Sequence, residues 1–260
     1  MDNARYYKQI FDITGKVALV TGATKGLGKM MAMNLAEAGC DVGLCSRNRE
    51  EAEAAAREIA EATGRTVYGT AADVCVKADI DRLIAEVEAN VGPIDILLAS
   101  AGINRRKEIP ELTEDDWDAI MDINVKGAFM TAKAVLPGMR ERGWGRIVFL
   151  GSMLSFISLK GRAAYSSSKS ALLGLTRTFA LETARDGICV NAICPGPFKT
   201  PMNIPVYTNE AVNREFLEKL PIGRWGDPDE MRGLLLYVCS DACSFMTGSS
   251  LVIDGGWTAQ

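Results

Sequence analysis

The sequence predicts an α/β fold in which one parallel sheet carries helices on both faces, within a single domain over residues 1–260. Seven short apolar runs recur along the chain, and segments of helical composition separate them. Most of the runs are continuously apolar rather than alternating, as expected of strands that are buried on both faces. No linker, repeat or low-complexity segment divides the chain, and 48% hydrophobic side chains allow a sizeable core.

The elements follow in a regular order. The first two predicted helices, "GLGKMMAMNLAEAG" and "NREEAEAAAREIAEATG", have apolar residues at helical spacing and end near Gly39 and Gly64. The segment 195–230, with prolines and short helical pieces, is expected to cross the carboxyl edge of the sheet as a substrate loop. Residues 1–12 are expected to form an N-terminal extension, to which the sequence assigns no role. The predicted strands are 16–22, 40–46, 65–73, 94–100, 145–152, 187–196 and 249–256.

The composition excludes several function classes. The chain has no histidine, which excludes Ser-His-Asp and Cys-His nucleophiles and the H-E-x-x-H zinc motif. A net charge of -4 gives no electrostatic signature for nucleic acid or a membrane surface, and no apolar run approaches the length of a membrane span. The seven scattered cysteines contain no C-x-x-C and are interpreted as buried thiols in a reducing compartment. We expect a cytoplasmic protein without a metal, acting on a small-molecule substrate.

A glycine-rich loop follows the first predicted strand. In "TGATKGLG" the glycines allow a tight turn, while the helix that begins there offers free N–H groups to a diphosphate. The spacing G-x-x-x-G-x-G differs from the common G-x-G-x-x-G, and an isolated match is equally consistent with an ordinary turn. Its place between the first strand and the first helix favours a dinucleotide. The residues expected to bind it here are Gly22, Thr24, Lys25, Gly26, Leu27 and Gly28.

The end of the second strand indicates which dinucleotide is bound. NAD-binding versions of this arrangement place an acidic residue there, but the chain has Ser46 and Arg47, and Lys25 lies in the glycine loop. Two cations and a hydroxyl suit a 2′-phosphate, so NADP(H) is favoured and NAD stays possible. The alternative is that Lys25 and Arg47 are only solvated surface charges.

Tyr165 and Lys169 in "YSSSK" are the predicted reactive pair. Residues four apart on a helix lie on one face, and a nearby ammonium is expected to lower the pKa of the phenol. Tyr165 would then exchange a proton with an alcohol or carbonyl. Ser152 ends the fifth predicted strand, at the edge where such sheets bind ligands, and its hydroxyl is expected to reach the same substrate oxygen. Asn124 is a candidate to hold a water that relays protons to Lys169, or else a helix-bending or capping residue.

With these motifs in order, the chain resembles the short-chain dehydrogenases/reductases from about residue 12 to its end. The resemblance implies a Rossmann-type, doubly wound, seven-stranded sheet, a homotetramer, and Ser152, Tyr165 and Lys169 as catalytic residues supported by Asn124. It also implies that Asp73 contacts adenine and Thr200 the carboxamide. The further cofactor-binding residues that it implies are Val74, Ala101, Gly102, Pro195 and Gly196. One motif departs from the family: its N-N-A-G is "ASAG" over residues 99–102, which alters a sheet-stabilising or cofactor contact.

Three further stretches of the sequence bear on the substrate. "GINRRKEI", "SMLSF" and "GRWGDPDE…DGGW" resemble gluconate 5-dehydrogenases and the related deoxygluconate dehydrogenases, which implies a sugar, polyol or sugar acid. Arg105 and Arg106 follow the fourth strand near the expected substrate mouth and suit a carboxylate. Met153 and Phe198 are candidates to line the substrate pocket. The alternatives are that the "RRK" triplet forms a solvated loop or a subunit contact, and that Met153 and Phe198 only pack in the core. A 3-oxoacyl-thioester reductase and a non-catalytic dinucleotide-sensing protein remain as alternative functions.

Overall fold

The computed structural model describes residues 3–259, so residues 1–2 of the expected N-terminal extension and residue 260 lie outside it. One sheet runs through this part of the chain, and every strand falls inside a segment that the sequence predicts. All strand pairs are parallel, in the order β3-β2-β1-β4-β5-β6-β7, which confirms the predicted fold class. The strands are β1 (Val17–Thr21), β2 (Asp41–Ser46), β3 (Val67–Ala71), β4 (Ile96–Ala99), β5 (Gly145–Leu150), β6 (Ile188–Pro195) and β7 (Ser250–Ile253).

Helices connect the strands. Gly64 adopts a left-handed conformation with φ 69° and ends α3 as expected, whereas α2 ends two residues before Gly39. A π-helical turn over Asp122–Lys126, which the sequence did not predict, joins α5 to α6. The α-helices are α1 (Asn3–Ile10), α2 (Gly26–Glu37), α3 (Arg49–Thr63), α4 (Lys77–Asn90), α5 (Glu114–Met121), α6 (Gly127–Arg142), α7 (Ala163–Thr183), α8 (Ile204–Tyr207), α9 (Glu210–Glu218) and α10 (Arg232–Cys239).

The core lies on both faces of the sheet. Ala18 and Val20 of β1 pack with residues of α2, α3 and α10 on one face. Val17 and Leu19 pack with residues of α4, α6 and α7 on the other. Since alternate residues of one strand are buried on opposite faces, the continuous apolar runs in the sequence have a direct physical cause.

The strand order creates a crevice above the middle of the sheet. From β1 the chain proceeds outward through β2 and β3, and then returns to place β4 on the other side of β1. The loops that follow β1 and β4 therefore diverge, and the carboxyl edge of the sheet opens between them. Sheets of this type bind ligands at such a switch point.

The segment 195–230 contains α8 and α9 and short 3₁₀ turns. The ring of Phe216 stacks on Trp225 at a centroid distance of 5.4 Å and lies 5.1 Å from Trp257. Phe216 and Trp257 belong to an apolar cluster that also holds Met153 and Leu154, immediately after β5. The segment therefore packs beside the residues that follow β5.

Among residues 3–259, no helix combines the length and apolar character that crossing a bilayer requires.

Candidate active site

A cleft of about 780 Å³ opens at the carboxyl edge of the sheet, lined by the loops that follow β1, β2, β3, β4, β5 and β6. Every residue that the sequence assigned to cofactor binding lines it. These residues are Gly22, Thr24, Lys25, Gly26, Leu27, Gly28, Ser46, Arg47, Asp73, Val74, Ala101, Gly102, Tyr165, Lys169, Pro195, Gly196 and Thr200.

The glycine loop depends on close approaches of its backbone. Gly22 has φ 67°, and a Cβ there would lie 2.7 Å from the Cα of Ala101. A Cβ on Gly28 would lie 2.4 Å from the carbonyl oxygen of Gly22 and 2.7 Å from the Oγ of Ser100. Because α2 begins at Gly26, its free N–H groups and the positive end of its dipole face the cleft. This geometry suits a diphosphate.

Two cations lie at the end of the cleft formed by the loops after β1 and β2. Lys25 and Arg47 are exposed, and neither forms an ion pair among the described residues. The hydroxyl of Ser46 donates to the carbonyl oxygen of Asn48 at 2.8 Å, which fixes the turn into α3. Sequence reasoning missed Glu51, which also lines the cleft and accepts a weak 3.4 Å hydrogen bond from Thr24.

The unusual "ASAG" stretch retains a cross-strand link. The hydroxyl of Ser100 donates to the carbonyl oxygen of Thr21 at 2.6 Å. The backbone N–H groups of Ser100 and Ala101 both approach the Thr21 hydroxyl at 3.2 Å. The end of β4 is therefore tied to the end of β1 by a serine.

Asn124 lies inside the π-helical turn and is almost completely buried. Its Oδ1 accepts from the N–H of Ile103 at 2.8 Å, and its Nδ2 lies 3.0 Å from both the carbonyl oxygen of Ile103 and the hydroxyl oxygen of Ser168. Asn124 does not line the cleft itself, but a Cβ on Gly102 would lie 3.2 Å from its Oδ1 and 3.7 Å from the Nζ of Lys169. The side chain thus joins the loop after β4 to α7, and the water relay stays a prediction.

Ser152, Tyr165 and Lys169 meet at the base of the cleft. Ser152 follows β5, caps the 3₁₀ turn Met153–Ser155 and lies near enough to the Tyr165 phenol to act on its pKa. The Nζ of Lys169 lies 5.7 Å from the centroid of the Tyr165 ring and donates to the carbonyl oxygen of Leu150 at 2.5 Å. One turn of α7 therefore presents the phenol and the ammonium to the same space.

The protonation of this pair differs from the expectation. Burial raises the pKa of the Tyr165 phenol, while the Ser152 hydroxyl and the charge of Arg162 act in the opposite direction. Burial also lowers the pKa of Lys169 to about 8. The predicted lowering of the Tyr165 pKa by Lys169 is therefore wrong for this structure, because burial outweighs the nearby charges and the cation that acts on the phenol is Arg162.

The candidate substrate residues divide into two groups. Met153 and Phe198 are buried and line the cleft. Arg105 does not line it, because its Nη1 forms an ion pair with Asp116 at 2.7 Å, and Lys107 binds the other oxygen of the same carboxylate at 2.6 Å. This pairing corrects the placement of Arg105 at the substrate mouth.

Sequence reasoning missed two polar residues that line the cleft, Asn104 and Arg162, whereas Arg106, which it placed near the substrate mouth, also lines the cleft. Arg106 belongs to the same "RRK" triplet as Arg105, so the composition of the triplet was a signal, but the sequence did not show which arginine has an acidic partner. Arg162 lies three residues before Tyr165, and this helical spacing was the available signal for it.

The chain is similar to known proteins over most of its length. Residues 22–258 match a family described as enoyl-(acyl carrier protein) reductase. The chain is 36% identical to the gluconate 5-dehydrogenase of Gluconobacter oxydans, over 98% of this chain and 99% of that protein. It is 34% identical to the 3-oxoacyl-(acyl-carrier-protein) reductase of Aquifex aeolicus, over 94% of this chain and 98% of that protein.

A solved structure gives a similar result. The crystal structure of a gluconate 5-dehydrogenase from Burkholderia cenocepacia, in complex with NADP and tartrate, aligns with a TM-score of 0.93 and 36% sequence identity. The alignment covers 98% of this chain and 99% of that one. Sequence and structure are therefore similar over almost the whole chain.

Proposed function

The chain belongs to the short-chain dehydrogenase/reductase family, and from this premise we propose an NADP(H)-dependent oxidoreductase that interconverts a secondary alcohol and a ketone on a sugar, polyol or sugar acid. The observation that carries the proposal is the meeting of Ser152, Tyr165 and Lys169 at the base of a cleft whose walls contain the expected dinucleotide residues. The whole chain would act as one domain, since its sheet takes strands from residue 17 to residue 253.

The cleft has features that suit NADP(H). The beginning of α2 presents backbone N–H groups to a diphosphate, and Asp73 lines the cleft where an adenine contact is expected. Lys25 and Arg47 supply two unpaired cations for a 2′-phosphate, although the carboxylate of Glu51 lies nearby. The related structure from Burkholderia cenocepacia is a complex with NADP, which supports the same assignment.

In the proposed mechanism, the chain supplies the proton and the positioning. The bound cofactor provides or accepts a hydride. Tyr165, whose pKa is raised, stays protonated at neutral pH and donates its proton to the oxygen of a ketone during reduction. The Ser152 hydroxyl lies near the phenol, where it acts on the pKa of Tyr165, and is placed to hold the same oxygen. Lys169 is fixed by Leu150 beside the ring, within reach of a nicotinamide ribose.

A polyhydroxy substrate is favoured over a 3-oxoacyl thioester by the polar lining of the cleft, which includes Asn104, Arg106 and Arg162. The gluconate 5-dehydrogenase relative supports the same choice, while the 3-oxoacyl reductase relative keeps the thioester as the second candidate. The intact reactive set argues against a non-catalytic dinucleotide-sensing protein.

We also propose that the protein forms a homotetramer in the cytoplasm. Leu181 on α7 and Phe245 after α10 are apolar and strongly exposed, which is consistent with the expected homotetramer. All seven cysteines lie in the described part of the chain and are free thiols, which suits a reducing cytoplasm.

The function is tested by a screen with NADPH and NADH against ketoses, keto sugar acids such as 5-ketogluconate, and acetoacetyl thioesters. We expect oxidation of NADPH with a keto sugar or keto sugar acid and none with the thioester. Tyr165→Phe should then reduce kcat by about 10²–10⁴-fold while NADPH still binds. Equal rates for Tyr165→Phe and wild type would mean that Tyr165 is not the proton donor. Tight NADPH binding without turnover across the panel would favour the sensing protein.

A further inference from the structure

Two of the buried polar atoms without a hydrogen-bond partner belong to the cleft. Among the described residues, the buried side-chain atoms that lack a partner are Asn34 Oδ1, Asn104 Oδ1 and Arg162 Nη1. Asn34 lies elsewhere, beside a small cavity between α2 and α10. Asn104 and Arg162 both line the large cleft. Since nearly all buried polar groups in folded proteins are paired, a donor and an acceptor left together in one cleft point to a ligand that completes both.

Arg162 is the residue whose positive charge acts on the Tyr165 phenol. It lies immediately before α7, three residues before Tyr165, and its guanidinium has no ion pair or hydrogen bond among residues 3–259. Burial lowers the pKa of this guanidinium to about 10, and the positive charge of Arg106 adds to the effect. Arg105 and Lys107, in contrast, are both neutralised by Asp116. Arg106 is exposed, but Arg162 is partly buried without a counter-ion among the described residues, which is costly, and a bound anion would remove that cost.

The position of Arg162 defines where on the substrate the anion lies. The charge of Arg162 acts on the Tyr165 phenol and both residues line the cleft, so a group held by the guanidinium lies in the same part of the cleft as the oxygen that receives the Tyr165 proton. A carboxylate matches the planar guanidinium in a two-bond geometry. The unpaired Oδ1 of Asn104 accepts hydrogen bonds only, so its complement is a hydroxyl.

We propose that Arg162 and Arg106 bind the carboxylate of the substrate, and that Asn104 accepts a hydrogen bond from a substrate hydroxyl, so that the cleft selects a hydroxy acid over the corresponding neutral polyol. This inference rests on the proposed function, because it takes Tyr165 as the reacting end of the site. It narrows the substrate class from a sugar, polyol or sugar acid to an acid.

The test compares two ligands that differ in the carboxylate. D-Gluconate and the neutral polyol D-glucitol are each titrated into protein saturated with NADPH, a combination that cannot turn over. We expect wild type to bind gluconate at least about 10-fold more tightly than glucitol. Arg162→Met should weaken gluconate binding by about 10–100-fold, as the loss of a charge-assisted pair implies, and leave glucitol unchanged.

Three further variants complete the design. Arg162→Lys keeps the charge without the planar fork, so it should lie between wild type and Arg162→Met, and it serves if the methionine variant does not fold. Asn104→Ala should weaken the binding of gluconate and of glucitol by a similar factor, because both ligands carry hydroxyl groups. Arg177→Met is the matched control: Arg177 is exposed on the same helix, 15 residues or about 22 Å further from the cleft, and both affinities should be unchanged.

The outcomes separate this inference from the proposed function. A wild-type protein without preference for gluconate, or an Arg162→Met variant that retains the preference, overturns the inference even if the enzyme turns over NADPH with a keto sugar. Gluconate binding that depends on Arg162, in a protein that oxidises NADPH with no carbonyl compound, supports the acid subsite and refutes the proposed function.

Discussion

The Oδ1 atom of Asn124 accepts a 2.8 Å hydrogen bond from the backbone N–H of Ile103. The Nδ2 of the same side chain donates to the carbonyl oxygen of Ile103 and to the hydroxyl of Ser168, both at 3.0 Å. Ser168 in turn donates to the carbonyl oxygen of Tyr165 at 2.7 Å. One buried amide therefore fixes the loop after β4 relative to the turn of α7 that bears Tyr165 and Lys169.

Replacement of Asn124 tests this connection. Asn124→Ala leaves the N–H and carbonyl of Ile103 without their side-chain partner, so we expect a loss of about 2–4 kcal/mol in the free energy of unfolding. Asn90→Ala is the control, because Asn90 makes one exposed hydrogen bond to the carbonyl of Glu86 and should change stability by no more than about 0.5 kcal/mol. Urea denaturation measures both. Equal stabilities of the two variants would mean that the Ile103 contacts contribute nothing.

The sequence was sufficient for features that depend on local pattern. Gly22 and Ser152 were placed at the carboxyl edge because each ends a continuous apolar run, and parallel strands bring such positions together, whereas Pro195 followed only from the family resemblance. The pairing of Tyr165 with Lys169 followed in the same way from helical spacing.

Features that depend on tertiary contacts could not be predicted. Arg105 has no local signal that separates it from Arg106, since its partner Asp116 lies 11 residues along the chain on another element. The π-helical turn at Asn124 depends on how α5 and α6 pack. The direction of the Tyr165 pKa shift depends on burial, which no pattern of charges along the chain records.

Cofactor preference should depend on Arg47. Arg47→Asp replaces a cation with a carboxylate at the end of β2, which repels a 2′-phosphate and suits a ribose hydroxyl, so the ratio of kcat/KM for NADPH to that for NADH should fall by at least about 10-fold. Arg49→Asp is the matched control, because Arg49 forms an exposed pair with Glu53 and does not line the cleft. An unchanged ratio for Arg47→Asp would place the 2′-phosphate elsewhere.

Ser100 should contribute to stability through its link to Thr21. Ser100→Ala removes a 2.6 Å hydrogen bond and leaves the carbonyl of Thr21 without that donor, so the expected cost is about 1–2 kcal/mol. Ser167→Ala, at an exposed position of α7, should be close to neutral. Thermal denaturation of the two variants distinguishes them, and equal melting temperatures would show that the serine does not support the sheet.

The two directions of the reaction should respond differently to pH. Reduction needs the proton of Tyr165, whose pKa is raised, and the positive charge of Lys169, whose pKa is about 8, so its rate should fall above about pH 8. Oxidation needs the deprotonated phenol and should accelerate as the pH rises from 7 to about 8, above which the loss of the Lys169 charge opposes the gain. Profiles of kcat/KM in both directions measure this, and an oxidation rate that is highest at pH 7 would contradict the assigned roles.

Buried thiols should make the fold sensitive to alkali. Burial raises the pKa of Cys40 and of Cys45 to about 12, from a usual value of 9.0. Because the folded pKa is the higher one, the stabilisation is present below the unfolded pKa and is lost as pH rises from about 9 to about 12, by about 1 kcal/mol per thiol at pH 10. Urea unfolding at pH 8 and pH 10 should therefore show a smaller loss for Cys45→Ala than for wild type. Leu44→Val, a neighbouring buried truncation without a titratable group, should keep the wild-type pH dependence, and the same loss in all three proteins would exclude the thiols as its cause.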